Sequence, residues 1–448
     1  MVKERKMKKT KETISNELFE LNGKPTFAQT LPLALQHVVA MIVGCVTPSI
    51  IISNVAGLSK QDSVILIQAA LTMSAVSTLF QVYPLLRSKK VSIGSGLPVI
   101  MGISFAYVPT MQAIAGEFDI ATILGAQIFG GVIALLVGLF IKKIRKFFPP
   151  LITGTVVFAI GISLYPTAIN YMAGGTSNPS YGSWENWLVA LITLAVVTFL
   201  NHYGKGIFKL ASILIGIIVG YIISLGFGMI DFSSVADASW FAFPKLLHFG
   251  IHFEPSACVA LGLLFAINAI QAIGDFSATT TNGLDRMPSD EELNGGIVAY
   301  GLTNILCAFF GGLPTATYSQ NVGIVGSTKV VAKKVFSLAA LIILIAGLIP
   351  KFSSILTTIP YCVLGGATVS VFASIAMTGI KLITTEPMDY RNTSIVGLAI
   401  ALGVGVTQAS AALATLPTWV TTIFGKSPVV LATITAVFLN LVLPKEKN

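Results

Sequence analysis

Charge is what this sequence has least of. Only 10% of its 448 residues are Asp, Glu, Lys or Arg, against about 25% in an ordinary soluble domain. A water-soluble globular chain of this length is thereby excluded. Cysteine is scarce too: Cys45, Cys258, Cys307 and Cys362 lie far apart and form no CxxC. They read as small buried apolar residues, with neither a disulfide framework nor a metal site implied. No His/Cys cluster points to a metal, and no nucleophile–base pair points to an enzyme. No Walker A motif is present, so ATP hydrolysis is not the driving force. GSGLP and FGGLP are Gly-rich but lack the Lys that such a loop needs. The polar, basic stretch up to Lys24 shows no small-residue cleavage site of a secretory signal.

What is there is apolar. Hydrophobic residues make up 54% of the chain, and the mean hydropathy is +0.83. A span and its connection take roughly 30 residues, so the length allows about 14 spans of ~20 residues. The expected class is an all-α polytopic membrane protein embedded in the lipid bilayer. The net charge of +9 could suggest nucleic acid as a partner, but its distribution argues against that. Lys and Arg cluster at Lys3 to Lys11, Arg87 to Lys90, Lys142 to Lys146, Lys205 and Lys209, Lys329 to Lys334, Lys381 and Arg391, and Lys445 and Lys447. Loops with a single basic residue, Lys60, Lys245, Lys351 and Lys426, alternate with them. This positive-inside pattern predicts that both termini are cytoplasmic and that the number of spans is even.

The predicted organisation follows. Residues 1–24 form a cytoplasmic tail, 25–230 a first half, 231–256 an external connection rich in aromatic residues, 257–444 a second half, and 445–448 the cytoplasmic C-terminus. Within the halves, spans are expected at 31–52, 64–86, 120–141, 151–172, 187–200, 210–229, 258–280, 297–310, 336–349, 355–377, 395–406 and 429–443. The stretch 407–428 either extends one span or lies in the interface.

Two further stretches are apolar but broken. GGLPTATYSQNVGIVGSTK, Gly311 to Lys329, is rich in Gly, Ser and Thr, carries Pro314 and presents the amides of Gln320 and Asn321. SIGSGLPVIMGISFAYVPT, beginning at Ser92, is interrupted in the same manner. Lipid cannot satisfy broken backbone, so both must line a cavity or be buried in protein. Each is expected to be a short extended run followed by a half-helix. Gly96-Leu97-Pro98 and Gly312-Leu313-Pro314 lie at an offset of 216, which places Ser104 on Gln320 and Phe105 on Asn321. The third and tenth spans then correspond in two halves of seven spans. An odd number of spans per half forces opposite topology, and paired broken segments in inverted halves mark a transporter's substrate site.

Polar groups at membrane depth narrow the site. Asp275 is the only carboxylate inside an apolar run. Such a group is costly there and usually functional, although it could instead cap its helix. Asn268, Gln271 and Asp275 follow an i, i+3, i+7 spacing and share one helix face, towards either a cavity or a packed neighbour. His37 lies well inside the first span and reads as a fixed hydrogen-bond partner, with proton transfer the alternative. Phe105 and Tyr318 sit in the broken stretches, where a ring can stack on a flat ligand or simply pack.

Gln320 to Lys329, QNVGIVGSTK, resembles the signature of the nucleobase–ascorbate transporter family, also called nucleobase–cation symporter-2. Asn321, Gly323, Thr328 and Lys329 all fit its pattern. So do Gln36-His37, Ser104-Phe105, Gly274-Asp275 and Pro360 to Gly366, and the resemblance covers about 30 to 445. It implies fourteen segments in two inverted seven-span repeats, core and gate domains that move like an elevator, short strands in spans 3 and 10 that hold the base, and a homodimer. In that family the residue before the Asn tracks the substrate: Gln with xanthine or urate, Glu with uracil, Pro with ascorbate. Gln320 therefore implies a purine nucleobase, read with Gln271, Phe105, Tyr318, Ser319 and Asn321. An amide offers one acceptor and two donors, which suit the edge of an oxopurine.

The sequence departs from the family twice. Gln271 stands where Glu is usual, and Tyr300 stands where an Asp is frequent. Gln271 can still bond a base edge but cannot carry a proton, so Asp275 becomes the leading candidate for ion coupling, with His37 and Asn268 in support. The expected activity is uptake of xanthine or urate across the cell membrane with H+ or Na+ and without a cofactor. The rivals are a uracil or other pyrimidine permease and an anion transporter of the related sulfate-carrier architecture.

Overall fold

A computed structural model of the chain describes residues 17–87, 92–140, 148–176, 178–417, 420–425 and 427–444. Most of the N-terminal tail, the basic residues at 89–90 and 142–146 and the C-terminus from 445 lie outside the described residues.

Among the described residues, seven helices are each long and apolar enough to cross a membrane. They are α1 (Phe27–Val55), α2 (Lys60–Val82), α4 (Ile120–Leu139), the run Pro150–Met172 made of α5 (Pro150–Ser163) and α6 (Tyr165–Met172), α7 (Trp184–Tyr203), α11 (Pro255–Leu284) and α16 (Tyr361–Ile383). The pair α14 (Lys333–Gly347) and α15 (Pro350–Thr357), bent by 80°, counts as an eighth if the two helices form one span. To reach the expected 14, six more elements must count. Four are α9 (Ser212–Gly226), α12 (Asp290–Phe309), α17 (Tyr390–Gln408) and α18 (Pro428–Val442). The other two are the broken segments: strand β3 (Met101–Ile103) with α3 (Val108–Glu117), and strand β4 (Thr315–Thr317) with α13 (Ser319–Thr328). Shorter pieces among the described residues include the antiparallel pair β1 (Leu86–Arg87) and β2 (Ser92–Ile93), the 3-10 turn Phe105–Tyr107, α8 (Ile207–Leu210) and α10 (Ser233–Asp237).

Local signals fix many of the ends. Ser59, Asp119, Ser183, Ser289 and Asp389 each accept a hydrogen bond from a backbone N–H in the first turn of the helix they start, satisfying donors that have no partner within the helix. Ser289 and Glu292 form a full capping box. Asp290 to Glu292, expected in a loop, are therefore the first turn of α12, where acids are favoured by the helix dipole. Glu292 also takes a bidentate contact from Arg286, at 2.6 and 2.8 Å. The span expected at 355–377 is likewise redrawn. Pro360 starts α16 as its N-cap and separates it from α15, because a proline disfavours helical backbone in the residue before it. Between α17 and α18, the described residues hold short helical turns at Ser410–Leu413 and Thr421–Gly425. In the connection after α9, the Lys60 ammonium 2.6 Å away and the Ser233 donors hold Asp231 well below the usual carboxylate range.

The helices pack as two groups. In one, α4 lies against α11 and α12, and α2 against α1 and α14. In the other, α16 lies against α5, α6 and α7, and α17 against α18. The broken segments belong to the first group. The largest buried apolar cluster is centred there and reaches the second through Val156, Ile160, Val371 and Phe372. At one end of the seam, Asn54 on α1 donates to the Tyr171 hydroxyl at 3.0 Å and accepts from the Tyr361 hydroxyl at 2.7 Å. That contact ties α1 of the first group to α6 and α16 of the second.

Candidate functional site

The site is organised by the crossing of the two broken segments. β3 and β4 pair antiparallel, with Met101 opposite Thr317, Gly102 opposite Ala316 and Ile103 opposite Thr315. Two more backbone bonds extend the ladder: Ser104 N–H to Pro314 O (3.1 Å) and Tyr318 N–H to Ile100 O (3.0 Å). Met101 and Thr317 are also equivalent under the 216-residue offset. An antiparallel pair that joins equivalent residues has a local two-fold axis through it, as inverted repeats require.

Each strand is clamped by a polar side chain from the helix before it. The Thr78 hydroxyl on α2 accepts from Met101 N–H at 2.9 Å, and Asn304 Oδ1 on α12 accepts from Thr315 N–H at 2.8 Å. Neither helix alone would need these groups. They satisfy strand backbone buried away from water, where an unpaired amide is costly. Gly102 is required for a steric reason: a Cβ there would lie 2.7 Å from both Cys45 Sγ and Tyr318 Cζ.

Where the strands end and α3 and α13 begin, a cavity of about 340 Å3 opens on the seam. The first group contributes Val39, Ala40, Val43 and Gly44 of α1, Ser104 to Ala106, Gln271 of α11 and Thr317 to Gln320. The second contributes Val157 and Ile160 of α5, Leu210, Ile213 of α9, and Val371, Ser374, Ile375 and Thr378 of α16. The last four follow an i, i+3, i+4, i+7 spacing, one face of a helix. A larger cavity of about 880 Å3 near Asn54 is lined by none of the candidate substrate-binding or ion-coupling residues. The smaller one is therefore the candidate site.

Gln271, Gln320, Phe105, Tyr318 and Ser319 all line it. The Phe105 ring meets Phe372 edge-on, with centroids 5.2 Å apart. The Tyr318 hydroxyl is turned away to donate to Ile103 O at 2.5 Å. The Ser104 hydroxyl accepts from Ala106 N–H, and the Thr378 hydroxyl donates to Ser374 O.

The other candidates stand behind this wall. Asp275 is 8% exposed and accepts hydrogen bonds from the Thr317 hydroxyl and, at 2.8 Å, from the Ser319 hydroxyl. Both donors line the cavity, so the carboxylate is one side chain removed from it. Asn321 Nδ2 lies 3.0 Å from His37 Nδ1 and donates to His37 O at 3.1 Å. That pair pins α13 to α1, and the His37 ring packs on Phe336. Asn268 is not brought to the others: its amide donates to Leu264 O of its own helix. The end of the signature is a clasp, in which Lys329 Nζ donates to Asn282 O at 2.6 Å and ties α13 to the end of α11.

Sequence reasoning missed Thr317, Ser374 and Thr378. Thr317 adjoins Tyr318, and Ser370, Ser374 and Thr378 form an i, i+4, i+8 stripe on an apolar helix, which was the available signal. Where the family often has an acid, Tyr300 is fully buried with its hydroxyl bonded to that of Tyr107. Among the described residues, no three His, Cys, Asp or Glu side chains cluster to hold a metal ion.

This is the arrangement of an inverted-repeat permease, and comparison with known proteins agrees. The Permease family model matches residues 28–412. The chain belongs to that family, the nucleobase–ascorbate transporters, and is a multi-pass membrane protein. It is 33% identical to a xanthine permease of Bacillus subtilis, over 93% of this chain and 94% of that one. It is 34% identical to the uric acid permease PucK of the same organism, over 92% of this chain and 95% of that one. Among solved structures, the transmembrane domain of the cyanobacterial bicarbonate transporter BicA matches 93% of this chain and all of its own, with a TM-score of 0.60 and 16% identity. That likeness is one of fold.

Proposed function

We propose that this protein takes up a purine nucleobase, xanthine or urate, across the cell membrane together with H+ or Na+, with both termini in the cytoplasm. One observation carries the reading: the amides of Gln271 and Gln320 line one small cavity beside the Phe105 ring. Two amides and an aromatic face suit a flat, amide-edged heterocycle. Relatives that transport xanthine and uric acid support the same substrate class. Asp275 links ion to substrate, since Thr317 and Ser319 join its carboxylate to the cavity wall.

A pyrimidine is disfavoured by Gln320, since the family resemblance associates Glu with uracil at that position. For an anion, no Lys or Arg is among the lining residues described. The test is uptake of radiolabelled xanthine, urate, hypoxanthine, guanine and uracil in a host lacking its own permeases. Concentrative uptake of xanthine or urate is expected. Uptake of every base at host background would overturn the reading.

A further inference from the structure

Eight polar side chains line the cavity. Ser104, Thr317, Tyr318, Ser319 and Thr378 are each engaged by a hydrogen bond to other protein groups. Among the described residues, the side chains of the remaining three, Gln271, Gln320 and Ser374, have no protein hydrogen-bond partner. Two of these are the amides already assigned to the base. The third comes from the other side of the seam.

Ser374 lies on α16, in the second helix group. Its neighbours on the Ser370 stripe turn their hydroxyls inward: Ser370 donates to Ala367 O at 3.0 Å and Thr378 to Ser374 O at 2.8 Å. This back-bonding is the common fate of a hydroxyl in an apolar helix. Ser374 departs from it, and its side chain is exposed into the cavity. Two residues earlier, Phe372 is fully buried with its ring against Phe105. That contact, from the side of α16 beside the lining face, holds the helix against the ring that borders the cavity.

We propose that Ser374 is a substrate-specificity residue, whose hydroxyl hydrogen-bonds the base from across the seam while Gln271 and Gln320 hold it from the first group. The inference rests on the purine reading of this cavity. Its consequence is mechanical. A base bonded to both walls bridges the two helix groups, so the approach of α16 is favoured by a base that offers a hydrogen-bonding atom on that side. A ligand without that atom is held by the first group alone.

The test is equilibrium binding of radiolabelled xanthine to the purified full-length protein, with competition by purines that each lack one hydrogen-bonding atom, hypoxanthine among them. Ser374→Ala should weaken xanthine about three- to tenfold, the size of one hydrogen bond, while Ser374→Thr, which keeps the hydroxyl, should lose less. For one purine in the series, the one lacking the partnered atom, Ser374→Ala should bind as wild type does. A merely structural role would weaken every purine alike, and that result would overturn the proposal. So would a Ser374→Ala protein that binds all of them within about twofold of wild type. A wild-type protein that binds no purine would overturn the purine reading itself.

Discussion

The two broken segments share a plan and differ in content. In both, a strand held by a side chain of the preceding helix leads into a half-helix that starts at the cavity. At equivalent positions, however, the first segment has Gly102, Ile103, Ser104 and Phe105, and the second has Tyr318, Ser319, Gln320 and Asn321. Next to a local two-fold axis, equivalent residues face one another, so two large side chains cannot both fit. Gly102 is the space that the Tyr318 ring occupies. The chemistry is divided likewise. The first segment supplies a ring and backbone. The second supplies the amide, the hydroxyls on Asp275 and the anchor on His37. Duplication sets the backbone twice, and contact across the axis makes the contents diverge.

The sharpest way to break this asymmetry is to remove the acid that only the second segment engages. Asp275→Asn should abolish gradient-driven accumulation while sparing some substrate binding or exchange. Uptake into vesicles with imposed pH and Na+ gradients, wild type beside variant, reads this. Concentrative uptake that persists in the variant would place coupling elsewhere.

Next in size is Gln320→Glu. A buried polar group left unpaired costs about 1–3 kcal/mol, so xanthine and urate uptake should fall on the order of tenfold or more, with uracil the base to watch for a gain. Unchanged transport of all three at normal expression would remove Gln320 from the site. The steric half of the comparison is tested by Gly102→Ala. Overpacking costs about 1–3 kcal/mol, and thermal unfolding of the purified protein should show Gly102→Ala costing less in a Tyr318→Ala background than in wild type, with the contact on Cys45 Sγ remaining. Loss without relief would mean that the contact is not the cause. Smallest is Phe105→Ala. A modest, uniform weakening of every base is expected, about 0.5–1.5 kcal/mol beyond burial, and wild-type binding constants would put the ring outside the site.

Much of this was legible in the sequence because lipid is an unforgiving solvent. Gly, Pro and amides within apolar runs had to mean broken, buried backbone, and both stretches are broken where expected. Asp275 stood out by elimination. Helix periodicity gave less, because it names a face without naming what the face meets. Asn268 shares a face with Gln271, yet its amide is satisfied by its own backbone at Leu264. Ser374 was hidden for the opposite reason. In one dimension it looks like Ser370 and Thr378, whose hydroxyls bond within the helix. The clamps Thr78 and Asn304 were invisible, since their partners are backbone groups 23 and 11 residues away. The break at Pro360 was missed because apolar composition continues across it.

The central claim is that the second segment reads the substrate while its counterpart does not. Gln320 and Ser104 are equivalent positions that line the same cavity, and the Ser104 hydroxyl is already engaged by Ala106 N–H in the 3-10 turn, Phe105–Tyr107, that precedes its half-helix. The direct measurement is equilibrium xanthine binding to purified Gln320→Ala and Ser104→Ala proteins. Gln320→Ala should lose about tenfold or more in affinity, and Ser104→Ala should stay within about threefold of wild type. Equal losses, or a larger loss from Ser104→Ala, would contradict the account.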